Sequence, residues 1–113
     1  MQAETQAHIE TITSALDLLR KHVNFEAASA RLEELEALSA EGDFWNDQAA
    51  AQEAMREKNK LQRQVEMIVS LQTELNDAVE LIELGEIEGD ADVVAEAEAA
   101  VAALAPFAEK CQL

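Results

Sequence analysis

Between Gly42 and Gly85 the chain has neither glycine nor proline, and its apolar residues there keep a helical beat. Leu61, Val65, Ile68, Gln72, Leu75, Val79 and Ile82 follow one another at alternating gaps of four and three. That is a heptad seam with one polar member, Gln72. It predicts a helix over 47–84, started by Asn46 or Asp47, ended at Leu84-Gly85, and about 57 Å long if continuous. A helix of that length cannot bury its seam alone, so other helices must lie along much of it.

The remaining segments carry the same signal. Ile9, Ile12, Leu16, Leu19 and Val23 form one stripe over 3–22. Asn24 is placed to cap a second helix over 25–40 with its side chain, and Ala28, Leu32, Leu35 and Leu38 give that helix an apolar face. Gly42 suits a left-handed helix end there. Gly85-Glu86-Ile87-Glu88-Gly89-Asp90 reads as a second loop, with Asp90 as a cap. Val94, Ala97, Val101, Leu104, Ala108 and Cys111 then mark a last helix over 91–110, antiparallel to the long one because the loop is short. Pro106 removes a bond to the Ala102 carbonyl and is expected to kink or end that helix nearby. The Ala-rich stretch Ala95–Ala105 suits close packing of a neighbouring helix. With three Gly, one Pro, no Tyr and few β-branched residues, the fold class is all-α. The expected form is a single-domain helical bundle, residues 1–113, built on a long antiparallel, coiled-coil-like hairpin.

Charge narrows the partners. The formal net charge is −16, from 24 acidic and 8 basic side chains. Such a surface repels phosphate backbones, so direct nucleic-acid binding by this chain alone is not expected. It suits solubility, or docking on a basic protein. One cysteine, Cys111, allows no internal disulfide. Met1-Gln2-Ala3-Glu4-Thr5 does not resemble a signal peptide, and no apolar run is long enough for a membrane. A cytoplasmic protein is the expectation.

No motif carries chemistry. His8, His22 and Cys111 are far apart and lack ligand spacing. Asp90-Ala91-Asp92 opens like a calcium loop, but Val94, Ala95 and Val101 stand where an oxygen ligand, Gly and Glu are needed. Gly42, Gly85 and Gly89 form no phosphate loop. Ser14, Ser29, Ser39 and Ser70 lie in helical patterns without a nucleophile motif. No catalytic residue, cofactor or metal is assigned, and the chain is not expected to be an enzyme.

Two local features are candidate partner contacts. Arg56, Lys58, Lys60 and Arg63 form a basic island in an acidic chain. Pairing with Glu53, Glu57 and neighbouring helices is the structural expectation for it, and contact with ribosomal RNA or an acidic partner is the functional one. Phe44 and Trp45 stand in the first loop. They are expected to plug the junction of the second and third helices, or else to anchor an interface.

The order of several segments resembles a known family. Arg31-Leu32-Glu33-Glu34-Leu35-Glu36 is followed by Asp43-Phe44-Trp45-Asn46-Asp47, an Ala/Gln-rich helix start, and Met55-Arg56-Glu57-Lys58-Asn59-Lys60-Leu61. Val79-Glu80-Leu81-Ile82-Glu83-Leu84-Gly85-Glu86 is similar to that family's hairpin tip. Together they resemble the N-terminal helical domain of the bacterial peptide chain release factor 2 family, among the class I release factors. The Trp45-Asn46 element favours the type-two kind over the type-one kind. The resemblance implies a domain that leans on the base of the ribosomal stalk near its protein component and helps dock the factor and its GTPase partner. The family's Ser-Pro-Phe codon-reading tripeptide and hydrolytic Gly-Gly-Gln motif do not occur in these residues. Glu109-Lys110-Cys111-Gln112-Leu113 looks like the family's crossing into its next domain, so a fragment is expected, and one unable to release peptides by itself. Pro106 departs from the family's usual uninterrupted helix. The alternative is a free-standing acidic coiled-coil adaptor or homodimer. Self-association is also expected, because the missing domains would leave apolar surface on the hairpin uncovered.

Overall fold

A computed structural model describes every residue from Met1 to Leu113. It contains four α-helices, one 3-10 turn and no strand, which bears out the all-α expectation. The helices are α1 (Ala3–Val23), α2 (Phe25–Ser39), α3 (Gln48–Glu88) and α4 (Ala91–Cys111), and the 3-10 turn is Gly42–Asn46. By its internal contacts the chain divides into two compact units. The first contains Met1–Leu19 with Ile68–Leu113, and the second contains Arg20–Met67.

The first unit holds most of the core. Ile12, Ala15, Leu16 and Leu19 of α1, Ile68, Leu71, Leu75, Ala78 and Ile82 of α3, and Ala97, Val101, Leu104, Ala105 and Ala108 of α4 are buried. Each fully buried Ile or Leu contributes about 1.5–3 kcal/mol of transfer free energy. The α3 seam follows the expected Ile68, Leu75 and Ile82, but the residues between them are Leu71 and Ala78 rather than Gln72 and Val79. Gln72 lies at the edge of the seam, where its amide donates to Asn76 Oδ1 at 3.0 Å instead of entering the core unpaired.

The α3–α4 connection is one turn later than the sequence suggests. The helix does not stop at Leu84-Gly85 but runs on to Glu88. Gly89 takes the left-handed conformation, with φ 71°. Asp90 N–H then bonds the Gly85 carbonyl at 2.8 Å and Gly89 N–H bonds that of Glu86 at 3.4 Å, which is the Schellman pattern. Gly85 sits inside the helix because α4 passes against it, and a Cβ there would lie 2.8 Å from Val94 Cγ2. Asp90 caps α4 as expected, its Oδ1 accepting from Val93 N–H at 3.2 Å. Pro106 does not end α4, which continues through it to Cys111.

At the start of α1 a carboxylate from α4 does the capping. Glu98 Oε2 accepts from the Gln2 N–H at 3.0 Å and from the Thr5 hydroxyl at 2.8 Å. These satisfy Thr5, a buried polar residue, and place negative charge at the helix's positive end. The two bonds hold the Glu98 carboxyl below its usual 4.5. A depressed value stabilises the fold fully above that usual value, and the contribution is lost as pH falls through the folded value. The stability gap between the wild type and Glu98→Gln should therefore be widest at neutral pH and shrink as the solution is acidified below the usual carboxylate value. Thermal melts across that range test it, and a gap that grows in acid would contradict the cap.

The second unit has a thinner core, with Ala28, Leu35 and Ala51 buried and only Leu35 both large and fully enclosed. Leu32 is half-buried and Leu38 exposed, so α2 buries less than its pattern suggested. Asn24 does not cap α2 with its side chain. A single residue separates α1 from α2, and it turns the chain in the left-handed region at φ 55°. Asn tolerates that region better than most residues. Its carbonyl accepts the first bond of α2, from Ala28 N–H at 2.9 Å. Gly42 is not a left-handed helix end either, because α2 has already closed at Ser39 and Ala40 in ordinary helical geometry. Asp47 starts α3 as expected, accepting from Ala50 N–H at 3.1 Å.

Candidate partner-binding surface

All six residues proposed from sequence as contacts lie in the second unit. Phe44 and Trp45 meet edge to face in the 3-10 turn, with ring centroids 4.8 Å apart. The indole N–H donates to the Ser39 carbonyl at 3.2 Å. That bond closes one of the carbonyls left open at the end of α2. The pair does not plug the junction as a buried wedge would, since Phe44 is half-buried and Trp45 is 52% exposed. The turn presents a fixed, half-open aromatic step.

The basic island is split by helix geometry. At 100° per residue, Arg56, Lys60 and Arg63 fall on one stripe of α3, within about 60° of one another. Lys58 falls about 160° away from that stripe, on the side that carries Ala51, Ala54, Leu61 and Val65, and it is half-buried. Arg56, Lys60 and Arg63 are exposed. The expected pairing with Glu53 and Glu57 is not formed, and none of the four cations makes an ion pair. Glu57 is taken instead by Arg31 of α2, through Nε at 2.8 Å and Nη2 at 2.9 Å. Arg31 Nη1 also reaches Glu34 at 2.8 Å. This two-pronged bond holds the Glu57 carboxyl below its usual range and ties α2 to α3. In the same unit, the Arg20 guanidinium lies 4.4 Å from the Phe25 ring centre.

Charge is distributed unequally between the units. Seven of the eight Lys and Arg residues fall between Arg20 and Arg63, and Lys110 alone belongs to the first unit. That unit carries fourteen of the 24 acidic residues. It also bears an open apolar groove of about 750 Å³ between α3 and α4, lined by Leu81, Val93, Leu104 and Phe107 among others. Sequence reasoning expected uncovered apolar surface on the hairpin without locating this groove, and it missed the Arg31–Glu57 clamp. The charge imbalance was legible as a run without cations, but the clamp joins residues 26 apart in sequence and left no local sign. No three His, Cys, Asp or Glu side chains converge as metal ligands, and no helix is long and apolar enough to cross a membrane.

These elements match a known family. The PCRF domain profile matches residues 28–113, from the first turn of α2 to the end of the chain. The chain belongs to the PCRF domain family. Its similarity to the family's curated members extends beyond the profile. It is 44% identical over all 113 residues to a protein named peptide chain release factor 2 from Paramagnetospirillum magneticum. It is 42% identical over the same 113 residues to peptide chain release factor 2 of a Ruegeria species. That of Rickettsia bellii is 43% identical over 90 residues, which cover 80% of this chain. The chain spans about 30% of the length of these first two relatives. The family resemblance read from Trp45-Asn46 and its flanking segments is thereby confirmed.

Proposed function

We propose that the chain is the N-terminal docking domain of a peptide chain release factor, acting in translation termination in the cytoplasm. The observation that supports this best is the alignment of all 113 residues with release factor 2 relatives, of which they make up about 30%. In this reading stop-codon recognition and peptidyl-tRNA hydrolysis belong to the rest of the parent protein, and these residues supply no catalytic group. The partners are the ribosome, at the protein part of its stalk base, and the GTPase that works with the factor. The half-exposed Trp45 with Phe44, and the unpaired stripe Arg56, Lys60 and Arg63, are the contacts. An aromatic anchor and exposed arginines are residue types that interfaces favour. Lys58 supports the packed side of α3 instead.

Two measurements test the reading. Added to ribosomes that hold peptidyl-tRNA at a stop codon, the chain alone should release no peptide above background. In excess it should slow release by an intact factor, because it competes for the docking site. Stop-codon-dependent release by the chain alone would overturn the assignment. A triple variant, Arg56→Glu with Lys60→Glu and Arg63→Glu, should keep its helix content yet bind ribosomes about tenfold or more weakly at low salt. Unchanged affinity would remove the stripe from the interface.

A further inference from the structure

The groove in the first unit has features that specify an occupant. Leu81 is 48% and Phe107 54% exposed, and with Val93 they offer apolar surface that the buried seam does not use. Glu74, Asp77 and Glu96 line the same groove. No cation lines it, and Lys110 is the only Lys or Arg in the unit. Two neighbouring helices, α3 and α4, form its walls, so its natural filler is a third helix whose side chains pack between theirs.

Charge then discriminates among occupants. A second copy would set Glu74, Asp77 and Glu96 against the same carboxylates, in a unit with fourteen acidic residues and one Lys. Nucleic acid and an anionic membrane surface are repelled on the same ground. A helix with an apolar stripe flanked by Lys or Arg meets both the groove floor and its rim. We propose that the α3–α4 groove is a docking site for a basic amphipathic helix of a partner protein, separate from the aromatic and cationic surface of the second unit. The inference goes beyond the termination role and rests on the groove and its charge alone.

A fluorescently labelled Leu/Lys amphipathic peptide of about 15 residues, long enough to form a helix, tests it on the whole chain. The peptide should bind, a scrambled peptide of the same composition and a Leu/Glu counterpart should not, and added salt should weaken binding. Amide shift changes should map to α3 and α4 around Leu81 and Phe107. Leu81→Ser with Phe107→Ser should weaken binding at least tenfold. Glu74→Gln with Asp77→Asn and Glu96→Gln should weaken it and flatten its salt dependence. All five positions are exposed, so unchanged helix content is the control, and the isosteric triple variant decides if the double variant unfolds. Absent binding, equal binding of the scrambled or acidic peptide, undiminished affinity of the triple variant, or shift changes confined to the second unit would overturn the proposal. So would sedimentation showing that the groove is closed in a dimer of the chain.

Discussion

Replacing Ile82 by Ala should cost about 2–5 kcal/mol of folding stability, while replacing its neighbour Leu81 by Ala should cost less than about 1 kcal/mol. The side chains are adjacent in sequence and similar in size. Ile82 is 0% exposed, enclosed in the first unit's core, and Leu81 is 48% exposed on the groove. Truncation at Ile82 removes buried methyl and methylene groups and leaves a void that stiff neighbouring helices only partly close. Truncation at Leu81 removes surface that already faces water. Domains of this size are stable by about 5–15 kcal/mol in all, so the Ile82 loss is a large fraction of the total. Urea denaturation followed by circular dichroism would resolve it as a shift in midpoint at unchanged slope. Similar losses at the two positions would mean that Leu81 is covered within the chain, and the groove would then not be open to a partner.

The same pair of residues shows why the fold was legible from sequence and its register only partly so. A 3–4 alternation containing Ile68, Leu75 and Ile82 can be completed on either side of the line they define. Carrying on the four-and-three spacing from Leu61 and Val65 favours Gln72 and Val79, but the helix turns Leu71, Ala78 and Gly85 inwards. Ala78 and Gly85 carry little hydrophobic signal and are chosen for closeness. The helix ends follow similar logic. Asp47 and Asp90 cap through bonds three residues along, and local sequence specifies such bonds. Asn24 was legible as a boundary, but not as a left-handed hinge, because that depends on α2 starting at once after it. The surface was legible as composition and not as pairing. The cations on α3 suggested local salt bridges, yet Arg31 reaches Glu57 from another helix and leaves Arg56, Lys60 and Arg63 without partners. Tertiary contacts decided which charges are neutralised, and they lie outside what spacing can report.

Helix propensity and packing give opposite expectations at Gly85, and packing should prevail. Gly in the middle of a helix costs about 1 kcal/mol relative to Ala, so by propensity alone Gly85→Ala would stabilise α3. The added Cβ, however, would stand 2.8 Å from Val94 Cγ2 and 3.3 Å from both the Asp90 carbonyl oxygen and Val93 Cγ1. Val94 is β-branched, and in a helix it has one strongly preferred rotamer, so it cannot swing aside cheaply. The Asp90 oxygen is backbone, in the turn whose Schellman bonds close the hairpin. Gly85→Val should therefore lower stability by about 2–3 kcal/mol, at the upper end of overpacking costs. Gly85→Ala should be less harmful, because its propensity gain offsets part of the clash. Gly89 makes the useful contrast. A methyl group added there would meet nothing within 4 Å, but the residue has a φ of +71°, so Gly89→Ala should cost about 1–2 kcal/mol through backbone strain alone. Gly89→Asn should recover much of that loss, since Asn tolerates the left-handed region. If thermal melts showed Gly85→Val to be neutral, α4 would have to lie further from α3 at this turn than the 2.8 Å approach requires. The groove built on the same two helices would then lose its wall.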